Sequence, residues 1–371
     1  MKSHRNTMCS LYGCMTVFLF IIAALAGCGG SSGKKISFSP SDLEGNWEMI
    51  HFGQALYGPF SGAGSLAINA SGAITGGKVR NFGVDDQKIT GGAFVITPEG
   101  IITGSIEVYL PDSKTYEKKS VYSGRMVFNK NIILFAASLT LGRKGMGILV
   151  KEEGGYALSD LNGTWVFPLD GVFTFSMNNS ADISDCVYRP VIGDSETCRG
   201  TISIIPDGNI SGKIGFADET PFSTQFKGRM SSDKSGMILW GGMSTRFEGM
   251  ATLAVKKGGE FPPAHGNGKW EILISAFNDV LYGAVDINAS GKVTGGVWQN
   301  SQKASGVFTG GDVIYNKDLN NLSGFISTSA GHTYTILGGA LSSSGDVLPM
   351  SVKDEAGHDG MLVLVEDISK L

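Results

Sequence analysis

Histidine is scarce in this chain and nothing gathers it. Five occur in 371 residues, and the four beyond the N-terminal segment, His51, His265, His332 and His358, are scattered without metal-ligand spacing. No nucleophile elbow, phosphate loop or paired-cysteine motif is present. Glycine runs follow strand-like segments but open no helix, so they miss the context that dinucleotide binding requires. The 54 glycines lack the G-X-Y period of collagen, and 42% of residues are apolar, which points to turns and bends instead of disorder. Carboxylate pairs such as Asp182 and Asp185, or Asp354 and Glu355, have the chemistry for acid-base work or calcium, but their setting reads as solvated turns. No catalytic residue, metal site or cofactor is expected.

One long apolar run exists. Lys2 and Arg5 precede TVFLFIIAALAG, which ends at Leu25, Ala26, Gly27 and Cys28. That order of charge, apolar run and small residues is a secretory signal peptide over 1–27, too short to span a bilayer comfortably. GGSSGKK, just after Cys28, reads as a flexible tether within 28–41. The Leu-Ala-Gly-Cys pattern resembles the bacterial lipobox. The resemblance implies cleavage before Cys28 and diacylation of its thiol. With Gly29 rather than Asp next in line, it also implies retention at the outer membrane of the cell envelope. Multiple acyl chains anchor durably.

Of five cysteines, Cys9 and Cys14 leave with the signal peptide and Cys28 is the lipidation candidate, so only Cys186 and Cys198 remain. In an exported chain such a pair reads as a disulfide, with two buried free thiols as the alternative. Beyond residue 27 the chain keeps 28 Lys and Arg against 34 Asp and Glu. This mild acidity argues against a nucleic-acid partner.

The chain repeats itself. DLEGNW ends at Trp47, DLNGTW at Trp165 and GNGKW at Trp270. INASGAITGG at 68–77 returns as INASGKVTGG at 287–296, with a worn copy, MNNSADISDC, ending at Cys186. ITPEGIITGSI at 96–106 is answered at 204–214 and, more loosely, at 315–326. Gly124, Gly228 and Gly339 are each followed 21 residues later by a Gly-Met pair, at Gly145-Met146, Gly249-Met250 and Gly360-Met361. Linker-like stretches at 151–159 and 256–266 separate the copies. Three domains are therefore expected, at 42–153, 159–257 and 266–368.

Each copy alternates apolar and polar residues as strands do. Ile102, Gly104, Ile106 and Val108 fall on one face, as do Ile210, Gly212, Ile214 and Phe216. A glycine on an inward face marks a bend or makes room for a neighbour, as when a sheet curls closed. About eight strands joined by short turns such as PEG, PDG and NASG predict an all-β chain of three small up-and-down antiparallel barrels. Met146, Met250 and Met361, together with Met126 and Met230, recur at matching places and read as core filling rather than copper ligands. The last strand of each unit is apolar on both faces, which predicts that an adjacent barrel covers its outside.

The Gly-x-Trp strand followed by an apolar strand, NASG and ITGG or VTGG resembles the opening hairpin of the avidin and lipocalin barrels. By that resemblance Trp47, Trp165 and Trp270 plug one end of their barrels. Avidins have a biotin-contacting tyrosine where this chain has Lys78 and Val297, so biotin binding is not implied. In the second copy, the residues between Cys186 and Cys198 read as a loop in which Tyr188 and Arg189 are of types favoured for recognition.

The leading expectation is a non-enzymatic envelope lipoprotein, a binding or scaffold module presenting three barrels at a membrane surface to a protein, glycan or small apolar ligand. The rivals are an envelope hydrolase with an inter-barrel Asp, Glu or His site, and a carrier of a small apolar ligand.

Overall fold

A computed structural model describes residues 36–366, except 56–57, 82–85, 128, 139–143, 170, 191–192, 217–223, 242–249, 259–267, 277–278 and 317–320. The signal peptide, Cys28 and His265 lie outside the described residues. Residues Ser37–Asp367 form one compact unit.

The chain is all-β, with three closed eight-stranded antiparallel barrels. The first comprises β1 (Gly45–Ala55), β2 (Gly58–Ile68), β3 (Ile74–Asn81), β4 (Gln87–Ile96), β5 (Ile101–Leu110), β6 (Thr115–Met126), β7 (Ile132–Ser138) and β8 (Lys144–Lys151). The second runs through β9 (Gly163–Pro168), β10 (Gly171–Met177), β11 (Asp182–Pro190), β12 (Glu196–Ile204), β13 (Asn209–Phe216), β14 (Thr224–Met230), β15 (Gly236–Gly241) and β16 (Met250–Lys256). The third is β17 (Gly268–Ala276), β18 (Asp279–Ile287), β19 (Val293–Asn300), β20 (Ser305–Asn316), β21 (Asn321–Thr328), β22 (Thr333–Gly339), β23 (Val347–Lys353) and β24 (Asp359–Glu366). In every barrel the first strand pairs with the last, which removes both sheet edges.

The repeated decapeptide is a turn held by its asparagine. Asn69 Oδ1 accepts from the backbone N–H groups of Ser71 and Ala73, both at 3.0 Å. Asn288 does the same for Ser290 and Lys292, and Asn178 for Ser180. A side chain that supplies the turn's hydrogen bonds explains why the sequence recurs. The inward glycines split the two tasks expected of them. Gly104 has φ of 150° and sits where the register between β4 and β5 closes tightly on Ala93, so the backbone bends there. Gly212 keeps ordinary backbone and instead leaves room for the ring of Phe226.

The barrels close head to tail into a ring. Strands β1 and β2 pack on β15 and β16, β9 and β10 on β22 and β23, and β17 and β18 on β7 and β8. Heterologous contacts of this kind either propagate or close, and here three copies close. At the centre one apolar cluster takes residues from all three barrels, including Ile148, Leu253 and Val363, each fully buried. Equivalent hairpins meet beside it: Asn129 donates to the Asp233 carboxylate, Asn131 Nδ2 to Ser232 Oγ at 2.9 Å, and Ser344 Oγ to Ser235 Oγ at 3.4 Å. Asn129 and Asp233 hold the same hairpin position in their barrels, so their direct contact places both at the pseudo-threefold axis and aligns the barrels in one direction.

Register corrects the Gly-Met spacing. Val150, Val255 and Val365 stand opposite Glu48, Val166 and Glu271, the residues after the three tryptophans. The equivalent of Met146 and Met361 is therefore Ala251, not Met250, because the second barrel has one extra residue before its last strand. The shift turns Leu253 outward into the shared cluster, whereas Leu364 faces its own lumen. A one-residue slip exchanges the faces of a strand.

Two of the three interfaces carry a charge pair. Arg125 of the first barrel lies 3.7 Å from Glu271 of the third, and the charge of Arg229 in the second acts on Glu48 of the first. At the remaining interface the corresponding residues are Val166 and Ala340, both buried in the apolar cluster. Ala340→Arg alone is expected to cost about 3 to 5 kcal/mol by burying an unpaired charge. Adding Val166→Glu should recover at least about 1 kcal/mol of that loss, read as a non-additive double-mutant cycle in urea. Strict additivity would show that the two positions do not face each other.

Candidate functional site

Each barrel is shut at the end where its chain enters. Trp47, Trp165 and Trp270 are completely buried there. Trp47 Nε1 donates to Leu43 O at 2.8 Å and Trp165 Nε1 to Leu161 O at 2.7 Å, each acceptor ending a short 3-10 turn, Pro40–Leu43 and Leu158–Leu161. Lys151 lies over the Trp47 ring at 5.5 Å and Lys256 over Trp165 at 5.6 Å. Lys130 pairs with Asp42, and Lys234 with Asp160. Burial is the largest single influence and raises both carboxylates, but the lysine hydrogen bonds, the backbone hydrogen bonds of Ser39 and Ala157 and the lysine charges together outweigh it and hold them below the usual carboxylate range. In the third barrel Glu366 stands where Lys151 and Lys256 do, opposite the tryptophan, and Gly345 stands where Lys130 and Lys234 do.

The disulfide links Cys186 and Cys198, direct cross-strand partners on β11 and β12. Cys186 occupies the place of Gly77 and Gly296, the last glycines of the two decapeptides. At this seam the other barrels pair sparingly, β3 with β4 only from Gly77–Ile89 to Val79–Gln87, and β19 with β20 only from Val297–Val307 to Gln299–Ser305. The cross-link thus secures in the second barrel a seam that the first and third leave to a few backbone pairs.

The recognition-loop expectation is corrected. Tyr188 and Arg189 lie on β11, not in a loop, and Tyr188 points into the barrel with only 1% of its surface exposed. Its ring stacks on Phe173 with centroids 4.4 Å apart and meets Phe216 at 5.5 Å. An inward strand position surrounded by rings favours tyrosine for packing. Arg189 is half-buried and close enough to Lys257 for its charge to add to burial in lowering that amine's basicity.

The lumens differ. The second is filled by rings, with Phe167 and Phe173 stacked at 4.6 Å and Phe175, Phe216 and Phe226 around them. The third is filled by aliphatic residues with Trp298, Phe308 and Tyr334. The first carries polar groups inward. His51, Gln87 and Lys119 are buried, and Lys119 pairs with Glu117. Periodicity alone could have flagged them: Gln87 alternates with Ile89, and Lys119 with Val121, on the inward face.

Other titratable groups sit apart. His332 meets Glu355 at 2.7 Å and His358 meets Asp354 at 2.9 Å on turns of the third barrel, at the end opposite its tryptophan. Among the described residues no group of three or more His, Cys, Asp or Glu is arranged to hold a metal. Asp182 and Asp185 are exposed. Met126, Met146, Met230 and Met361 are core residues. At the interface of the first two barrels, burial followed by the charge of Glu152 pushes the Glu48 carboxyl up to about 7, against the opposing charges of Arg229 and Lys78.

No known protein family matches this sequence, and no curated protein is detectably similar to it. Among solved structures, a de novo designed fluorescence-activating β-barrel is 13% identical over 27% of this chain and 91% of its own, with a TM-score of 0.23. A mutant of transferrin-binding protein B from Haemophilus parasuis Hp5 is 10% identical over 86% and 74% of the two chains, with a TM-score of 0.23. A Nitrosomonas europaea protein described as AttH is 11% identical over 91% and 98%, with a TM-score of 0.25. At such values no function passes from these proteins to this one.

Two outcomes follow. The raised Glu48 carboxyl holds its proton more tightly in the folded chain than at the ordinary value of 4.5. Its contribution to stability is therefore complete below about pH 4.5 and is lost as pH rises through about 7. Glu48→Gln should flatten that decline, so that stability changes less between pH 5 and pH 8 than in the wild type, measured by urea unfolding across pH. Replacing Cys186 and Cys198 with serine should lower stability by about 3 kcal/mol, given the short loop closed.

Proposed function

We propose that this protein is a non-enzymatic lipoprotein of the cell envelope, probing its surroundings as one rigid binding or scaffold module made of three barrels. The observation that carries this reading is the closed ring, in which the apolar outer faces of all three barrels are spent on one another. Such a body has the build of a platform: its lumens are largely self-filled and its remaining outer strands are free for contact. The Leu25 to Cys28 pattern supports a lipid anchor, and the Cys186–Cys198 disulfide supports an extracytoplasmic, oxidising location. The filled second and third lumens count against a carrier of apolar ligands.

Glu48 favours one rival, a hydrolase working between the first and second barrels, since a carboxyl titrating near neutrality beside Glu152 suits acid-base chemistry. Against it, Glu271 and Arg125 repeat the same pairing at another interface, which suits a docking role.

Two measurements decide between them. The wild-type chain should take up radiolabelled palmitate and sediment with membranes, whereas Cys28→Ser should be unlabelled and soluble; a labelled or sedimenting variant would refute the anchor. Turnover of p-nitrophenyl acetate that disappears in Glu48→Gln would replace the module reading with the hydrolase.

A further inference from the structure

Three copies of one barrel allow each lumen to be compared position by position. On the second and third strands, Gly64 pairs with Val79, Phe173 with Tyr188 and Gly283 with Trp298, all at the same register from the tryptophan. One strand further, Val79 pairs with Gln87, Tyr188 with Glu196 and Trp298 with Gly306. Across the barrel, the residue facing Ile106, Ile214 or Ile326 is Lys119, Thr224 or Tyr334. The second barrel thus places two rings in this layer, Phe173 and Tyr188, and the third places Trp298 and Tyr334. The first has Gly64, Val79 and Lys119 there, with His51 on β1 where the third barrel has Ile274.

The polar groups of this layer are deeply buried. His51 is 3% exposed, Lys119 5% and Gln87 8%. A self-sufficient core would satisfy every polar atom it encloses. Here Gln87 Oε1 is buried and has no hydrogen-bond partner. Lys119 is paired with Glu117, which leaves ammonium donors to spare. Burial also lowers the basicity of Lys119, the Glu117 carboxylate acting in the opposite sense.

We propose that the upper lumen of the first barrel is a binding site for a small neutral molecule bearing a hydroxyl or amide group, which donates to Gln87 Oε1 and accepts from Lys119. The site deepens the binding-module reading and rests on it. An anion would add unbalanced charge to a layer where Lys119 and Glu117 already neutralise each other. An apolar ligand would leave the Gln87 acceptor unpaired. A hydroxyl or an amide offers a donor and an acceptor within one group. Val79, where the other barrels place the rings of Tyr188 and Trp298, supplies the room.

The test uses the full-length protein in detergent, with acetamide and glycerol as probes in ligand-observed saturation-transfer NMR. Two variants accompany it: Val79→Tyr, which copies the second barrel's filling, and Gln87→Leu. Transfer to at least one probe is expected, falling about tenfold or more in both variants, while the Tm of Val79→Tyr stays level or rises. Absence of transfer to both probes, or transfer unchanged by either variant, overturns the site. A fall in the Tm of Val79→Tyr by about 5 °C or more also overturns it, since that outcome means the layer is already full. Palmitate labelling and membrane sedimentation do not depend on Val79, so failure of this site is distinguishable from failure of the module reading.

Discussion

The structure depends on one apolar contact: the outer faces of β8, β16 and β24 packed against neighbouring barrels around Ile148, Leu253 and Val363. A small barrel in water normally keeps its outward residues polar, and a barrel with an apolar outer strand is left with a patch it must cover. Each barrel here has such a strand, and each covers the next one's. The three are therefore parts of one body, and neither the central hydrogen bonds at Asn129 and Asp233 nor the Glu–Arg pairs would have a place without that packing. The charged pairs add selectivity instead. With Glu48 and Glu271 on two first strands and Val166 on the third, the apolar junction of the second and third barrels is set apart from the two Glu–Arg junctions, since a mismatch between the two kinds buries a lone charge.

Around this constant frame the copies have drifted in their interiors. The closed ends of the first two barrels share one construction, with tryptophan, 3-10 turn and lysines in the same relation. The lumens share only their shape. Rings fill the second, mixed aliphatic and aromatic residues fill the third, and the first holds a lysine, a glutamine and a histidine among small residues. The seam beside the decapeptide is cross-linked in the second barrel alone. Shape is thus tied to the ring, whereas chemistry inside each barrel was free to change.

Much of this was legible in the sequence. Period-two alternation and turn residues gave eight strands per copy, because a strand's two faces meet different surroundings and record the fact in every other residue. Two-sided apolarity in the last strand foretold the covered outer face for the same reason. What escaped was whatever depends on register. The matching Gly-Met interval masked a one-residue offset that moved Leu253 from lumen to interface. Tyr188 looked like a loop residue because its strand runs on past Cys186, where a bulge between Ile183 and Cys186 breaks the alternation. The inward lysine and glutamine of the first barrel were visible as breaks in an apolar face, but their meaning emerged only when the three lumens were set side by side.

Hydrogen exchange read by mass spectrometry across a urea series tests the closed ring most directly. If the three barrels share one core, peptides containing Ile148, Leu253 and Val363 should exchange with the same opening free energy and the same urea dependence, that of global unfolding. Three different free energies, each with a smaller urea dependence, would mean that the barrels unfold one at a time and that no common core unites them.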